Sequence, residues 1–330
     1  MIDVTDRHCR FFHRLLAPKA RLYSEMITTG ALKFGDQARH LDFDVAERPV
    51  ALQLGGNDPV ALAQCAKLGE KWGYDEINLN CGCPSDRVQK GDFGARLMEQ
   101  PQRVADAVKA MQDAVAIPVT VKHRLGLDYD AGIDFLIGFV STLYNAGCRV
   151  FIAHARNAVL SGLSPRDNRE IPPLRYDDAA VIKSMFPDAT VVLNGGLTDV
   201  SSCQQALKTF DGVMLGRAAW HHPGCLSDIS VALGQIDTVP DPDEVLHSYL
   251  HYCENQLNLG VPLSLLSRPL LGWMHGKPGA RQWRRTLSDH KVLAKNDAKV
   301  LLDAWTTLTQ QIEQAQALKQ SENHLSHQRI

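Results

Sequence analysis

Six short apolar runs, each closing on a polar residue or a glycine, limit the folds open to this chain more than any other feature, and a weaker seventh joins them. They occupy residues 50–56, 76–80, 119–123, 150–154, 190–194 and 212–216, with a weaker run at 22–26. Each is rich in β-branched residues or Leu, and none is longer than a strand buried on both faces needs to be. Helical periodicity fills the gaps at 59–71, 102–114, 133–145, 177–185 and 201–209. Asn57 and Asp58 before Pro59 are a good cap for the first of these. Strands and helices that alternate this often imply an α/β fold with a parallel sheet. Seven such units point to a (β/α)8 TIM barrel with one strand not located. A doubly wound open sheet is the competing architecture, but the Gly-x-Gly-x-x-Gly turn it favours after its first strand is missing.

The alternation stops near residue 236. A chain of 330 residues has room for one large domain and a smaller one. We expect a barrel domain over 1–236 and a polar linker over 237–244, where Pro240 and Pro242 fall. A small all-α domain over 245–319 and a polar, frayed tail over 320–330 complete the expectation. Apolar residues at 45% and charged residues at 22% exclude wholesale disorder.

A barrel of this kind carries its active site at the C-terminal strand ends. The polar residues there are Glu25, Gln53, Asn78, Asn80, Lys122, His154, Asn194 and Arg217. Any one of them is explained as a hydrogen-bonded strand end. Polar residues at successive ends are not, because core layers take Val, Ile and Leu. Two segments read as a phosphate cradle: Asn194-Gly195-Gly196 after the penultimate strand, and Gly216-Arg217 after the last. Glycines let backbone N–H groups approach an anion, and Arg adds a fixed charge. Cys83, between Gly82 and Pro84 on a strand-end loop, reads as an acid or a nucleophile near the barrel mouth. Cys81, two residues back, would point the other way. The other six cysteines sit in helical or apolar surroundings that favour small buried hydrophobes.

The formal net charge is −2, so any affinity for nucleic acid must come from a local patch. Lys277, Arg281, Arg284, Arg285, Lys291, Lys295 and Lys299 supply one, with Trp273 and Trp283 interleaved. Such a run is usually a solvated face. Concentrated in an otherwise slightly acidic chain, it suits a phosphate backbone. Arg156, Arg166 and Arg169 lie in the loop after His154 and would overhang the same mouth. No Cys-x-x-Cys pair points to zinc or to thioredoxin-type redox chemistry, and no metal site is expected. No apolar run is long enough to span a membrane, and the first residues lack a signal-peptide core. Reduced thiols and a cytoplasmic location are expected.

The stretch Asn78-Leu-Asn-Cys-Gly-Cys-Pro-Ser-Asp-Arg-Val-Gln-Lys-Gly-Asp-Phe-Gly-Ala-Arg-Leu-Met98 resembles the signature loop of the tRNA-dihydrouridine synthases. Residues 160–174 and 279–285 resemble its A-type subfamily, which acts on uridines 20 and 20a of the tRNA D-loop. The likeness runs from Met1 to about residue 310. It implies an FMN-bound barrel, a helical tRNA-binding domain, NADPH as reductant and, with one site per chain, a monomer. Met1, Ile2, Asp3, Gln53, Lys122, His154, Asn194, Gly195, Gly196, Gly216 and Arg217 match positions around the FMN. Cys83 matches the catalytic cysteine. Asn80, Arg166, Arg169, Arg281 and Arg284 match positions that contact tRNA or set which uridine is presented. Two departures stand out. Cys81 replaces a commoner aliphatic residue. The family's first strand ends in Ala-Pro-Met ahead of an Asp-x-Thr-Asp segment, whereas here that Met is Met1, followed by Asp3 and Asp6. The expectation is a start site placed too late, a truncated first strand and an open seam in the barrel. Two other readings remain at this level. One is a flavin barrel acting on a free pyrimidine, as in dihydroorotate dehydrogenases. The other is a tRNA-binding protein with an inactive barrel.

Overall fold

The computed structural model describes residues 1–129 and 132–327. The chain divides into two compact units. One comprises Met1–Arg10 and Lys19–Gly216; the other comprises Phe11–Pro18 and the chain from Arg217 onward.

The first unit is built on seven parallel strands paired in chain order: β1 (Leu22–Thr28), β2 (Val50–Gly55), β3 (Glu76–Cys81), β4 (Val119–Arg124), β5 (Val150–His154), β6 (Thr190–Asn194) and β7 (Gly212–Met214). The sheet curls in the manner of a TIM barrel, with β1 and β7 as its edges. Every expected strand is present, and the expected helices appear with small shifts in their ends.

Alternation along the strands sorts side chains to two faces. Leu52 and Ile77 face the surrounding helices. They fit against Gly69 of the helix Pro59–Lys71, where a Cβ would stand 2.6 Å from Leu52 Cδ2 and 2.8 Å from Ile77 Cδ1. Leu52, Leu54, Ile77, Leu79, Val121 and Phe151 are fully buried. Each such burial contributes about 1.5–3 kcal/mol before entropy is counted. The opposite face of the same strands carries Gln53, Glu76, Asn78, Asn80, Thr120 and Lys122, paired in register as Gln53 with Asn78, Asn78 with Thr120 and Asn80 with Lys122.

No eighth strand accompanies these seven among the described residues. Met1–Thr5 instead form a turn, with the N–H groups of Val4 and Thr5 donating to Met1 O. The turn reaches both sheet edges. Asp3 N–H donates to the carboxylate of Glu25 on β1. Met1 Sδ lies 3.6 Å from the Cβ position of Gly216, just beyond β7. The chain then enters the helix Arg7–Leu16, which the sequence reading did not foresee, with Asp6 Oδ1 accepting from Cys9 N. In the first unit Arg10 Nε donates to Glu47 Oε2 at 2.6 Å, both side chains being buried.

The second unit is helical. Its core gathers Phe12 and Leu16 with Leu246, Tyr249, Leu263, Leu270, Trp273, Trp283 and Trp305. Trp273 and Trp305 stack at 5.1 Å, and Trp283 Nε1 donates to Leu270 O at 2.9 Å. The two tryptophans expected to interleave with the basic residues are therefore core residues. Indole rings at helical spacing bury their area inward while the Lys and Arg heads stay in water.

The expected 237–244 linker is partly helix. Asp241 caps the helix Pro242–Asn258, accepting from Asp243 N and Glu244 N, with Pro242 in the first turn. Proline there needs no N–H partner, so it starts a helix rather than breaking one. The polar tail also differs from expectation up to residue 327. The helix Lys299–His327 has no Gly or Pro to stop it. Residues 328–330 of that tail lie outside the described residues.

Candidate active site

At the C-terminal ends of β2 to β6 the inward-facing residues form one polar surface. Asn80 lies near its centre. Its Oδ1 accepts from the backbone N–H of Gly82 and of Cys83, both at 3.0 Å, and its Nδ2 donates to Gln53 Oε1 at 2.9 Å. Two obligate donors occupy both acceptor positions of Oδ1, so Asn80 has a single N–H left to offer a ligand. The bonds fold the loop after β3 back over the strand end and bring Cys83 to the mouth. Cys83 is partly exposed, with Sγ 3.5 Å from Ser85 Oγ, while Cys81 is fully buried on the opposite face. Burial pushes the Cys81 thiol far up, so it stays a neutral packing group.

Lys122 Nζ donates to Asn194 Oδ1 at 2.9 Å, and Asn194 Nδ2 donates to Met214 O at 2.7 Å. This orders the ends of β4, β6 and β7. Burial pushes the Lys122 ammonium down to about 7, Arg124 adds to the fall, and Cys83 opposes it. No carboxylate among the described residues pairs with this cation. Past β6, Gly195 and Gly196 have φ of 107° and 74°. A Cβ on Gly195 would lie 2.7 Å from His154 Cδ2, so both the backbone and the space demand glycine. Tyr176 OH donates to Gly195 O at 2.7 Å, while neither glycine N–H is used in a hydrogen bond among the described residues.

Of the remaining predicted residues, Met1, Ile2 and Asp3 lie in the N-terminal turn, and Gly216 beside it. Arg166 is exposed, 3.9 Å from Glu170. Arg169 is half-buried in the same loop. Arg217, Arg281 and Arg284 belong to the second unit. Arg217 opens the short helix Arg217–His221, and the other two lie exposed on the helix Ala280–Thr286. All seven basic residues between 277 and 299 are exposed, which leaves that face open to a polyanion.

Over residues 1–316 the sequence matches the family described as Dihydrouridine synthase (Dus). The chain belongs to the dihydrouridine synthase family. It is 50% identical over 305 residues to the tRNA-dihydrouridine(20/20a) synthase of Synechocystis sp., covering 92% of this chain and 91% of that one. It is 52% identical over 303 residues to the protein of the same name from Escherichia coli, covering 91% and 88%. Coverage this wide takes in both compact units. Among the described residues, no helix of this dihydrouridine synthase is long and apolar enough to cross a membrane, and no cluster of His, Cys, Asp and Glu could hold a metal.

Sequence reasoning missed Arg124. It is buried at the end of β4. Its Nε donates to Gly82 O at 3.1 Å, and its Nη1 to Asn157 O and Asn168 O at 3.1 and 3.0 Å. One guanidinium thus ties the Cys83 loop to the loop carrying Arg166 and Arg169. Gln89 Nε2 makes a second tie, donating to Pro84 O at 2.8 Å and Leu160 O at 2.7 Å. The only signal was Arg124 following Lys122 at strand spacing on the same face.

Proposed function

We propose that this dihydrouridine synthase reduces the C5=C6 bond of uridines 20 and 20a in the tRNA D-loop, with FMN as its flavin and NADPH as reductant. The observation that carries this is the placement of Cys83, held over the polar strand ends by Asn80, on the surface that also carries the half-buried, carboxylate-free Lys122. The names of the relatives point to the same substrate.

The residues present fit a flavin. Gln53, Lys122, His154 and Asn194 offer polar groups from β2, β4, β5 and β6, and the unused N–H groups of Gly195 and Gly196 suit a phosphate. Gly216, just beyond β7, would complete that cradle. A half-buried ammonium without a carboxylate is what an anionic ring edge requires. When bound, reduced FMN supplies hydride to C6 of uracil.

The electron pair of the C5=C6 bond then moves to C5, where the C4 carbonyl delocalises it. The thiol of Cys83 delivers a proton to C5. The one free N–H of Asn80 can only donate, so it suits a uracil carbonyl. Arg166 and Arg169 in the first unit would contact RNA phosphates while the uridine is turned out of the folded RNA, and the exposed Arg281 and Arg284 give the second unit a phosphate-binding face of its own.

The test is incubation of the purified protein with NADPH and an unmodified tRNA transcript. Dihydrouridine at positions 20 and 20a is expected, with FMN released from the yellow protein on denaturation. Oxidation of free dihydroorotate instead would favour the free-pyrimidine reading. A colourless protein that retards tRNA on a gel without reducing it would favour the RNA-binding one.

Lys122 gives a pH signature. Its folded value of about 7 lies below the ~10.4 of an unfolded lysine, so between the two the unfolded chain binds more protons. Stability of the flavin-free protein therefore rises as pH increases from about 7 towards ~10. Lys122→Met removes that slope, raises Tm at pH 7 and weakens FMN binding by about 10–100-fold, the loss of one charge-assisted hydrogen bond. Melting curves of both proteins across this range check it. Parallel pH profiles would show that Lys122 is not strained by its site.

A further inference from the structure

Below the strand ends, the inner face of the sheet carries a continuous line of hydrogen-bonded side chains, and cofactor and substrate binding do not account for its members Glu76, Thr120 and Asn78. It begins at Glu76, the first residue of β3, whose carboxylate accepts from Arg21, from Tyr23 OH at 3.0 Å and from Thr120 Oγ1 at 2.6 Å. Thr120 Oγ1 accepts in turn from Asn78 Nδ2 at 2.8 Å. Asn78 Oδ1 accepts from Gln53 Nε2 at 2.8 Å, and Gln53 Oε1 from Asn80 Nδ2 at 2.9 Å. The line ends where Asn80 Oδ1 takes the N–H groups of Gly82 and Cys83. Glu76, Asn78, Thr120, Gln53 and Asn80 are all buried.

The line has a direction, and both ends impose it. An ionised carboxylate only accepts, so the Thr120 hydroxyl proton turns to Glu76 at 2.6 Å rather than to Ile77 O at 3.4 Å. Thr120 oxygen is then an acceptor, which puts the N–H2 end of Asn78 against it and its oxygen towards Gln53. The same logic turns the Gln53 oxygen towards Asn80. At the far end two backbone N–H groups can only donate, and they require the Asn80 oxygen. A carboxamide left to itself has two orientations of similar energy. Here three in series are set by one anion at one end and two amides at the other.

We infer that Glu76, Thr120 and Asn78 are positioning residues: through Gln53 they fix the orientation of the Asn80 amide, and through Asn80 the backbone that carries Cys83. The consequence for turnover rests on the role proposed above for Cys83; the consequence for the loop does not. Tyr23 and Arg21 complete the anchor. Burial and Glu76 raise the Tyr23 phenol, so it remains a donor.

The test pairs Thr120→Val, which keeps the shape and removes the hydroxyl, with Thr120→Ser, which restores it. Two readouts are taken on the full-length protein. One is hydrogen exchange at the Gly82 and Cys83 amides; the other is kcat and KM for a tRNA transcript with NADPH. In Thr120→Val, exchange is expected to speed up about 5–30-fold, the equivalent of one lost hydrogen bond. kcat should fall at least tenfold with KM for tRNA unchanged. Thr120→Ser should return both close to wild type.

Glu76→Gln, whose amide no longer enforces acceptance, should act in the same direction and carries the test if Thr120→Val does not fold. Unchanged exchange in the variants that fold overturns the inference. So does a Thr120→Ser protein as impaired as Thr120→Val, which would mean that packing rather than the hydroxyl matters. Faster exchange rescued by serine, with turnover untouched, supports the positioning line and overturns the role given to Cys83.

Discussion

Cys83→Ala is expected to retain flavin and tRNA binding while losing uridine reduction by about 10²–10⁴-fold, the range associated with removing a positioned general acid. The side chain removed makes one weak contact, Sγ to Ser85 Oγ at 3.5 Å. The loop is held through the Cys83 backbone by Asn80, and by Arg124 and Gln89, none of which the substitution touches. Binding should therefore survive and the proton-transfer step should not. The measurement is single-turnover dihydrouridine formation, started from reduced enzyme so that flavin reduction does not mask it. Cys81→Ala is the control. Cys81 faces the helix layer fully buried, so its loss should lower Tm and spare the rate. A Cys83→Ala enzyme near wild-type turnover would remove the thiol from the mechanism.

The second large effect concerns stability. Arg10→Met should destabilise the protein by about 3–5 kcal/mol, the cost of leaving one member of a buried ion pair alone. Arg10 Nε bonds Glu47 at 2.6 Å and its Nη1 donates to Thr5 O at 2.9 Å. Glu47 also accepts from Asp44 N at 2.8 Å within a capping box. Burial raises the Glu47 carboxyl to about 7 and the guanidinium is the strongest influence opposing that rise, so without Arg10 the carboxyl rises further. A carboxyl raised in the folded state binds more protons there than in the unfolded chain. The variant should accordingly regain stability as pH falls towards ~4.3, the unfolded value. Denaturant midpoints of wild type, Arg10→Met and the double variant with Glu47→Met would measure it. The double variant should recover much of the loss. A single variant as stable as wild type at pH 7 would show the pair to be dispensable.

The barrel strands were legible because burial on both faces writes itself as runs such as residues 50–56 and 190–194, and because polar residues at their ends have no place in an aliphatic core. The positions of Asn80 and Lys122 at strand ends were legible on the same ground, and that of Cys83 on the following loop from its place between Gly82 and Pro84. Glu76, Thr120 and Arg124 were not. Each is one more polar residue in a strand that its apolar run already marks, and their meaning comes from register, which sets Asn78 beside Thr120 and Lys122 beside Asn80. Pairing between strands more than forty residues apart leaves no local trace. Trp273 and Trp283 were misplaced for the converse reason. Proximity in sequence to Arg281 and Arg284 says nothing about which side of a helix faces water. The helix Arg7–Leu16 escaped notice because Phe11, Phe12, Leu15 and Leu16 find their core among residues more than two hundred positions later.

That helix also has a consequence for how the protein is made. Phe11, Phe12, Leu15 and Leu16 leave the ribosome more than two hundred residues before those they pack with. Leu16 O takes its hydrogen bond from Ser227, 211 positions later. At about 5–20 residues per second this segment waits about 10–40 s for its partners. During that interval a short, apolar, partly formed helix is exposed while the strands after it are assembling. The newborn chain thus offers a chaperone a binding site that the finished protein no longer displays.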